Sequence, residues 1–168
     1  MRSPRLPEAD DHCVVRRGEL KWAGLFLKWG GSMKHYTGGC LCGALRYKAT
    51  GKALCAGYCF CADCRKASGS GFIPFIGVAR SDVTFSGQIL QHRSKARGGG
   101  DAVRNSCAAC GGLVFGGEIG QSESFTIYAG SLDDPLLFSP SIAIFTRSHP
   151  PWAVIPPGLK VFADGPTQ

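Results

Sequence analysis

Short apolar stretches recur at close spacing along most of this chain, and they predict β-strands. Apolar and polar residues alternate over residues 45–48, as they do on a strand with one buried face. Further strands are predicted at residues 72–76, 83–85, 89–90, 113–115, 125–128 and 142–145. Glycines separate many of these stretches, and no long stretch has the apolar period of a helix. The pattern therefore predicts a mainly β domain with little helix.

Two features depart from this simple strand pattern. One short helix is predicted at Ala62–Ser68, directly after a group of cysteines. The apolar stretch at residues 72–76 contains Pro74, which has no backbone N–H to donate to a neighbouring strand. We therefore expect this stretch to be an edge strand or to contain a bulge.

The first 32 residues differ from the rest of the chain. They carry charges of both signs, show no strand alternation and end in Gly30, Gly31 and Ser32. We predict that residues 1–32 are a disordered extension or an over-long start, and that residues 33–168 form a single domain. The alternative for this segment is a short amphipathic helix at residues 22–29 that lies on a surface.

Composition and charge narrow the class of protein. The chain has 168 residues, of which 44% are hydrophobic and 18% charged, which fits one globular domain and excludes a disordered protein. No stretch approaches the roughly 20 consecutive apolar residues of a membrane helix, so we expect no membrane association. The formal net charge of +7 favours anionic ligands, but the cations are scattered, which does not favour nucleic acid. The N-terminus has no signal-peptide pattern, so we expect a cytoplasmic protein.

Nine cysteines are the most unusual feature of the composition, and seven of them fall into three groups by spacing. The groups are Cys40 with Cys42, then Cys59 with Cys61 and Cys64, then Cys107 with Cys110. Thiols stay reduced in the cytoplasm, which favours metal ligands over disulfides. The spacings also differ from the common ferredoxin patterns of iron–sulfur proteins. A tight turn with the C-x-x-C spacing lets two thiolates bind one tetrahedral zinc ion, so zinc is the metal we expect.

The first and third groups together offer four thiolates, enough to close one zinc site. Each group is followed by a glycine, Gly43 or Gly111, which permits the positive φ that such a turn requires. These turns can also direct backbone N–H groups at the sulfurs. Because the two groups are far apart in sequence, a shared ion ties distant parts of the domain together and contributes to folding.

The middle group offers only three thiolates, which leaves one position of a zinc ion open, as in catalytic zinc sites. The alternative is that Cys55 supplies a fourth ligand and makes this site purely structural. We expect Cys55 to be an ordinary buried residue instead. Cys13 lies in the extension and is interpreted as a spare thiol.

Five segments together resemble one protein family. They are GGCLCGALRY at residues 38–47, CFCADCRKASG at 59–69, CAACG at 107–111, AGSLDDP at 129–135 and PW at 151–152. In this order they are similar to the glutathione-dependent formaldehyde-activating enzymes, also called the CENP-V/GFA domain. The resemblance covers residues 34–161.

The resemblance implies an Mss4-like fold of antiparallel sheets with zinc knuckles, and two zinc ions. By position, Cys40, Cys42, Cys107 and Cys110 match the ligands of the structural ion, and Cys59, Cys61 and Cys64 match those of the catalytic ion. The implied activity is that of a carbon–sulfur lyase, S-(hydroxymethyl)glutathione synthase, which joins glutathione to formaldehyde. A thiol such as glutathione and a small aldehyde are therefore the expected substrates.

The substrate-binding residues are predicted from charge and position. Arg65 follows a zinc ligand and is the first candidate to bind a glutathione carboxylate. The other basic candidates are Lys66, Arg93, Lys95, Arg97 and Arg104. His92 and His149 are candidate acids. Three thiolates already make the zinc site anionic, so a fourth thiol requires basic neighbours.

Two departures from the family pattern bear on the site. Phe60 stands between two zinc ligands where relatives often have a histidine, which removes a possible proton donor. Ser106 stands before the last knuckle where relatives often have an aromatic residue.

The alternative function is a zinc-stabilised binding module without catalysis. An open zinc position at the base of a pocket, with Arg65 and Phe60 on its rim, favours the enzyme, whereas a protein side chain in that position favours the module.

Overall fold

The computed structural model describes residues 34–96 and 99–166. The predictions made for residues 1–32, including that for Cys13, fall outside these ranges, and so does the candidate Arg97.

The described residues form a mainly β structure with one α-helix, which confirms the predicted fold class. The strands are β1 Lys34–Gly39, β2 Arg46–Gly51, β3 Cys55–Cys59, β4 Ile73–Ala79, β5 Val83–Ser86, β6 Ile89–Lys95, β7 Asp101–Cys107, β8 Leu113–Gly116, β9 Ser124–Tyr128, β10 Ile142–Ile144 and β11 Lys160–Val161. The helix α1 spans Ala62–Ser68, as predicted. Short 3₁₀ turns lie at Arg80–Asp82, Ala129–Ser131, Pro135–Leu137 and Thr146–Ser148. Within the described ranges, no helix has the length and apolar character needed to cross a membrane.

The strands form two sheets. The smaller sheet has the order β1-β2-β5 and is antiparallel. The larger sheet has the order β11-β10-β3-β4-β9-β8-β7-β6. Its pairs are antiparallel except at one end, where β10 runs parallel to both β3 and β11. The antiparallel prediction therefore holds for most of the structure, with a mixed edge in the larger sheet.

The main hydrophobic core lies between the two sheets. Tyr47 on β2 packs in the same buried cluster as Ile76 on β4 and Ile127 on β9. Phe85 of β5 stacks on Phe115 of β8 with ring centroids 3.9 Å apart. Burial of these large side chains, each contributing about 1.5 to 3 kcal/mol, is the main force that holds the sheets together.

The expectation of an edge strand or a bulge around Pro74 is wrong, because β4 lies in the interior of the larger sheet and pairs with β3 and β9 without a shift in register. The register explains why a proline is tolerated there. Pro74 faces Tyr58 of β3, but pairing with β9 begins one residue later, at Phe75. Pro74 therefore removes no donor from the ladder with β9.

A buried asparagine fixes the register between β7 and β8. The pairing shifts between Asn105 and Ser106, and Asn105 is fully buried at that point. Its side-chain amide donates hydrogen bonds to the carbonyl oxygens of Phe115, at 3.3 Å, and Gly117, at 2.7 Å. These bonds satisfy carbonyl groups at the irregular end of the ladder, where strand pairing is interrupted.

We predict that Asn105→Leu lowers the free energy of unfolding by about 1 to 3 kcal/mol, because the new side chain has a similar shape but leaves buried carbonyl groups without a donor. Urea denaturation measures the change. Gln91→Leu is the matched control, since Gln91 is the exposed partner of Asn105 on β6 and its replacement should change stability by less than about 0.5 kcal/mol. Equal effects of the two substitutions would contradict the proposed role of Asn105.

Candidate metal centres

The first and third cysteine groups meet in the structure. Cys40 and Cys42 lie in the turn between β1 and β2, Cys107 ends β7, and Cys110 lies in the turn that leads to β8. The four sulfur atoms lie within 4.8 Å of one another. The Cys42 Sγ is 3.6 Å from the Cys40 Sγ and 3.8 Å from the Cys107 Sγ. Two sulfurs bound to a tetrahedral zinc ion lie about 3.8 Å apart, so this cluster has the spacing that zinc requires.

The backbone around this four-cysteine cluster supports negative charge on its sulfurs. The Leu45 N–H donates to the Cys40 Sγ at 3.2 Å, and the Ala109 N–H donates to the Cys107 Sγ at 3.4 Å. Desolvation opposes ionisation of Cys40, but the Leu45 hydrogen bond and the neighbouring thiols outweigh it and lower the pKa of Cys40 to about 6. The turns therefore present N–H groups to the sulfurs, as the sequence predicts.

The glycines that follow the two outer groups have the predicted conformation. Gly43 has φ of 77° and Gly111 has φ of 70°. A Cβ added at either residue would meet no atom within 4 Å. The glycines are therefore required by the left-handed backbone of the turns and not by lack of space.

The middle group forms a second cluster at the junction of β3 and α1. Cys59 ends β3, Cys61 is the N-cap of α1, and Cys64 lies in its first turn. The Cys61 Sγ accepts a hydrogen bond from the Cys64 N–H at 3.3 Å and so replaces the usual oxygen of an N-cap residue. The three sulfurs lie within 4.8 Å of one another, and no further His, Cys, Asp or Glu of the described chain joins them.

The thiols of this three-cysteine cluster share their protons. Hydrogen bonds from the Cys59 and Cys64 thiols lower the pKa of Cys61. The same interaction with Cys61 raises the pKa of Cys59, which burial raises further. One thiolate held by two thiols is a ready donor set for a soft divalent cation, since such a cation displaces the remaining protons. The seven cysteines of the two clusters are all outside disulfides.

Cys55 is not a member of the three-cysteine cluster. It lies four residues before Cys59 on β3, which places the two Cα atoms about 13 Å apart along the strand. Cys55 is buried in the same apolar cluster as Cys59, beside Phe75 and Ile142. This position matches the expectation that Cys55 is an ordinary buried residue and does not support it as a fourth ligand.

Phe60 points away from the three sulfurs, so it does not form the rim of a pocket over them. Its side chain is 0% exposed and packs with Ala143 and Ala153 on the opposite side of the extended segment. The ring of His149 meets the Phe60 ring edge-on at 5.8 Å. His149 therefore lies on the side of Phe60 and not with the sulfurs, which does not support it as the acid of this site.

Two polar side chains from the larger sheet approach the three-cysteine cluster. Burial disfavours charge on Arg104, but attraction to Tyr128, Cys64 and Cys61 outweighs it and raises the pKa of Arg104. Burial also raises the pKa of Tyr128, and the negative charge of Cys64 raises it further. Tyr128 therefore keeps its hydroxyl proton at neutral pH. Arg104 was one of several basic candidates in the sequence, whereas no pattern in the sequence indicated Tyr128.

The other basic candidates are placed differently. Arg93 pairs with Asp101 and Glu118, and Lys95 pairs with Asp101, on the exposed side of β6. Arg65 lies on α1, where its Nε is buried with no hydrogen-bond partner among the described residues. Its role in binding substrate stays a prediction, as does that of the exposed Lys66.

His92 lies on β6 directly opposite Arg104 of β7, and its side chain is exposed.

A cavity of about 390 Å³ lies beside the four-cysteine cluster and not beside the three-cysteine cluster. It is lined by Cys40, Arg46 and Asp133 among others, and the last two form a bidentate ion pair.

We predict that Gly43→Ala and Gly111→Ala each lower the free energy of unfolding of the metal-loaded protein by about 1 to 2 kcal/mol, because each forces a side chain into a left-handed turn. Thermal or urea denaturation measures the loss. Gly130→Ala is the control, since a Cβ there also meets open space and Gly130 is not among the residues with positive φ. A loss of the same size in Gly130→Ala would argue against backbone conformation as the cause.

Comparison with known proteins identifies the family. The model of the family described as "Glutathione-dependent formaldehyde-activating enzyme" matches residues 35–148. No curated protein matches this chain. Among solved structures, the crystal structure of a Rhodobacter sphaeroides protein is similar over 62% of this chain and 97% of its own, with 21% identity and a TM-score of 0.46. Since the family model covers more than half of the sequence, the chain belongs to the glutathione-dependent formaldehyde-activating enzyme family.

Proposed function

We propose that this chain is a zinc-dependent enzyme that adds a thiol, glutathione or a similar molecule, to a small aldehyde such as formaldehyde. Membership of the formaldehyde-activating family supports this class of reaction. The observation that carries the proposal is the three-cysteine cluster. Its three sulfurs are close enough to hold one ion, and no fourth ligand comes from the described chain. Three protein ligands with one position left over is the composition of catalytic zinc sites.

The two clusters have different proposed roles. Cys40, Cys42, Cys107 and Cys110 hold a structural zinc ion that joins the β1–β2 turn to the β7–β8 turn, so its binding contributes to folding. Cys59, Cys61 and Cys64 hold the catalytic ion. A zinc ion bound by these three sulfurs would lower the pKa of a substrate thiol and so favour its thiolate near neutral pH. Because all seven thiols must stay reduced, we also infer a cytoplasmic location.

The bonds and the proton that change position in the addition indicate what the residues around the cluster do. In the addition, a carbon–sulfur bond forms, the π bond of the aldehyde carbonyl breaks, and the proton of the thiol ends on the former carbonyl oxygen. The reverse reaction is the carbon–sulfur lyase direction. The Tyr128 hydroxyl, protonated at neutral pH, donates a hydrogen bond to that oxygen. Arg65 on α1 binds a carboxylate of glutathione.

We predict that Cys59→Ala lowers the zinc content from about two ions per chain to about one and leaves the fold intact, because it removes one of only three ligands of the catalytic ion. Elemental analysis measures zinc, and circular dichroism checks the fold. Cys55→Ala is the matched control on the same strand and should keep about two ions. Cys40→Ala should instead fail to fold. A value near two ions in Cys59→Ala, or near one in Cys55→Ala, would contradict the assignment.

We also predict that the zinc-loaded wild-type protein binds glutathione and accelerates formation of S-(hydroxymethyl)glutathione from formaldehyde. Isothermal titration measures binding, and exchange NMR with ¹³C-formaldehyde measures the rate above the uncatalysed reaction. Cys59→Ala should show only the uncatalysed rate. If the wild-type protein holds two zinc ions but neither binds glutathione nor raises the rate, the alternative of a zinc-stabilised binding module replaces the enzyme.

A further inference from the structure

The charge of the three-cysteine cluster poses a problem for the proposed reaction. Three thiolates around one divalent zinc ion carry a net negative charge, and a substrate thiolate adds another. Removing such charge from water is unfavourable unless an opposite charge compensates it nearby. Cys59 is buried, and Cys61 and Cys64 are partly buried, so bulk water screens this charge only in part. The site therefore requires a cation that belongs to the protein.

The register of the larger sheet places Arg104 on the same face as the cluster. Arg104 on β7 lies opposite Gly116 on β8, which in turn lies opposite Thr126 on β9. Gly116 has no side chain to separate Arg104 from the next strand. A Cβ at Gly116 would lie 3.0 Å from the Tyr128 hydroxyl oxygen, so this hydroxyl occupies the space over the glycine. The paired residues Arg104, Gly116, Thr126, Gly77 and Cys55 lie in one row across the larger sheet, so their side chains share one face. Cys59 lies four residues after Cys55, and Tyr128 two residues after Thr126, so both lie on that face as well. Arg104 and Tyr128 are therefore on the face that carries the cluster, where both interact electrostatically with Cys64 and Cys61.

Arg104, like Arg65 and Arg80, has no acidic partner among the described residues, whereas other arginines do. Arg46 pairs with Asp133, and Arg147 pairs with Asp164. Among the ion pairs of the described residues, none involves Arg104. Its Nη1 donates to the Ser94 Oγ at 3.3 Å, and its Nε is buried with no hydrogen-bond partner in the described structure. A partly buried guanidinium without a carboxylate is an uncompensated charge, and the sulfurs of the cluster are the negative groups it interacts with.

We propose that Arg104 is the charge-compensating residue of the three-cysteine site, where it stabilises the negative charge of the substrate sulfur. This inference rests on the proposed function, because it needs a thiol to approach that cluster. Arg104 acts on the sulfur of any thiol, whereas a residue that binds the carboxylates of glutathione acts on glutathione alone. The two roles therefore give different patterns when two thiols are compared.

The test uses the full chain loaded with cobalt(II) in place of zinc, since sulfur-to-cobalt absorption bands report each added thiol without any turnover. Glutathione and 2-mercaptoethanol are titrated separately. Arg104→Met should weaken the binding of both thiols by a similar factor of about ten or more, the size expected when one charge-assisted contact is lost. Arg104→Lys keeps the charge and should bind both thiols within a few-fold of the wild type. Arg104→Gln, which is polar but neutral, replaces Arg104→Met if that variant does not fold.

Arg147→Met is the control, because it removes an arginine whose side chain is 72% exposed and paired with Asp164. It should bind both thiols as the wild type does. Wild-type affinity for both thiols in the neutral variants would overturn the role of Arg104 and leave the proposed function standing. Weaker binding of glutathione alone would also overturn it, since that pattern indicates a carboxylate contact. If the wild-type cobalt protein binds neither thiol, the proposed function fails and this inference fails with it.

Discussion

Seven thiols held close together in two clusters are the constraint on which the rest of this structure depends. Within each cluster the sulfur atoms lie within 4.8 Å of one another. Thiolates at such distances repel one another, so they remain together only when protons or a cation are shared among them. The cysteines lie at strand ends and in tight turns. There, backbone N–H groups point at the sulfurs and stabilise their negative charge, and glycines adopt left-handed conformations. For the four-cysteine cluster, the packing of the two sheets brings the β1–β2 turn next to the β7–β8 turn.

The alternation of side chains along an extended segment separates the chemistry from the core. Cys59 and Cys61 face the cluster, while Phe60 between them faces the opposite way into a buried aromatic group. A residue in the place of Phe60 therefore affects packing more directly than it affects the ion. The same alternation on β7 turns Asn105 into the core and leaves Arg104 on the other face. Each segment thus builds the core with one residue and the site with its neighbour.

Local patterns in the sequence were enough to predict the fold class, α1 and the membership of both clusters. These features depend on residues close in sequence: alternation, turn glycines and cysteine spacing. The pattern missed β1, β3, β7 and the two-residue β11. Their glycines, polar residues or short length carry no strand signal, and they become strands only by pairing with neighbours. It also predicted an edge strand or a bulge at Pro74, because the sequence does not show the register that spares a donor at that position.

For the same reason, the sequence could not single out Arg104 among its basic candidates and gave no indication of Tyr128. Their approach to the cluster depends on the pairing of β7, β8 and β9, which sets them beside Gly116. A shift of one residue between β7 and β8 would turn Arg104 into the core and Asn105 outward. The hydrogen bonds of Asn105 to the carbonyls of Phe115 and Gly117 oppose this shift at the point where the register is irregular. A buried amide in the core thus determines which face of the sheet carries the cation, so the charge balance of the site depends on packing on the other side of the same strand.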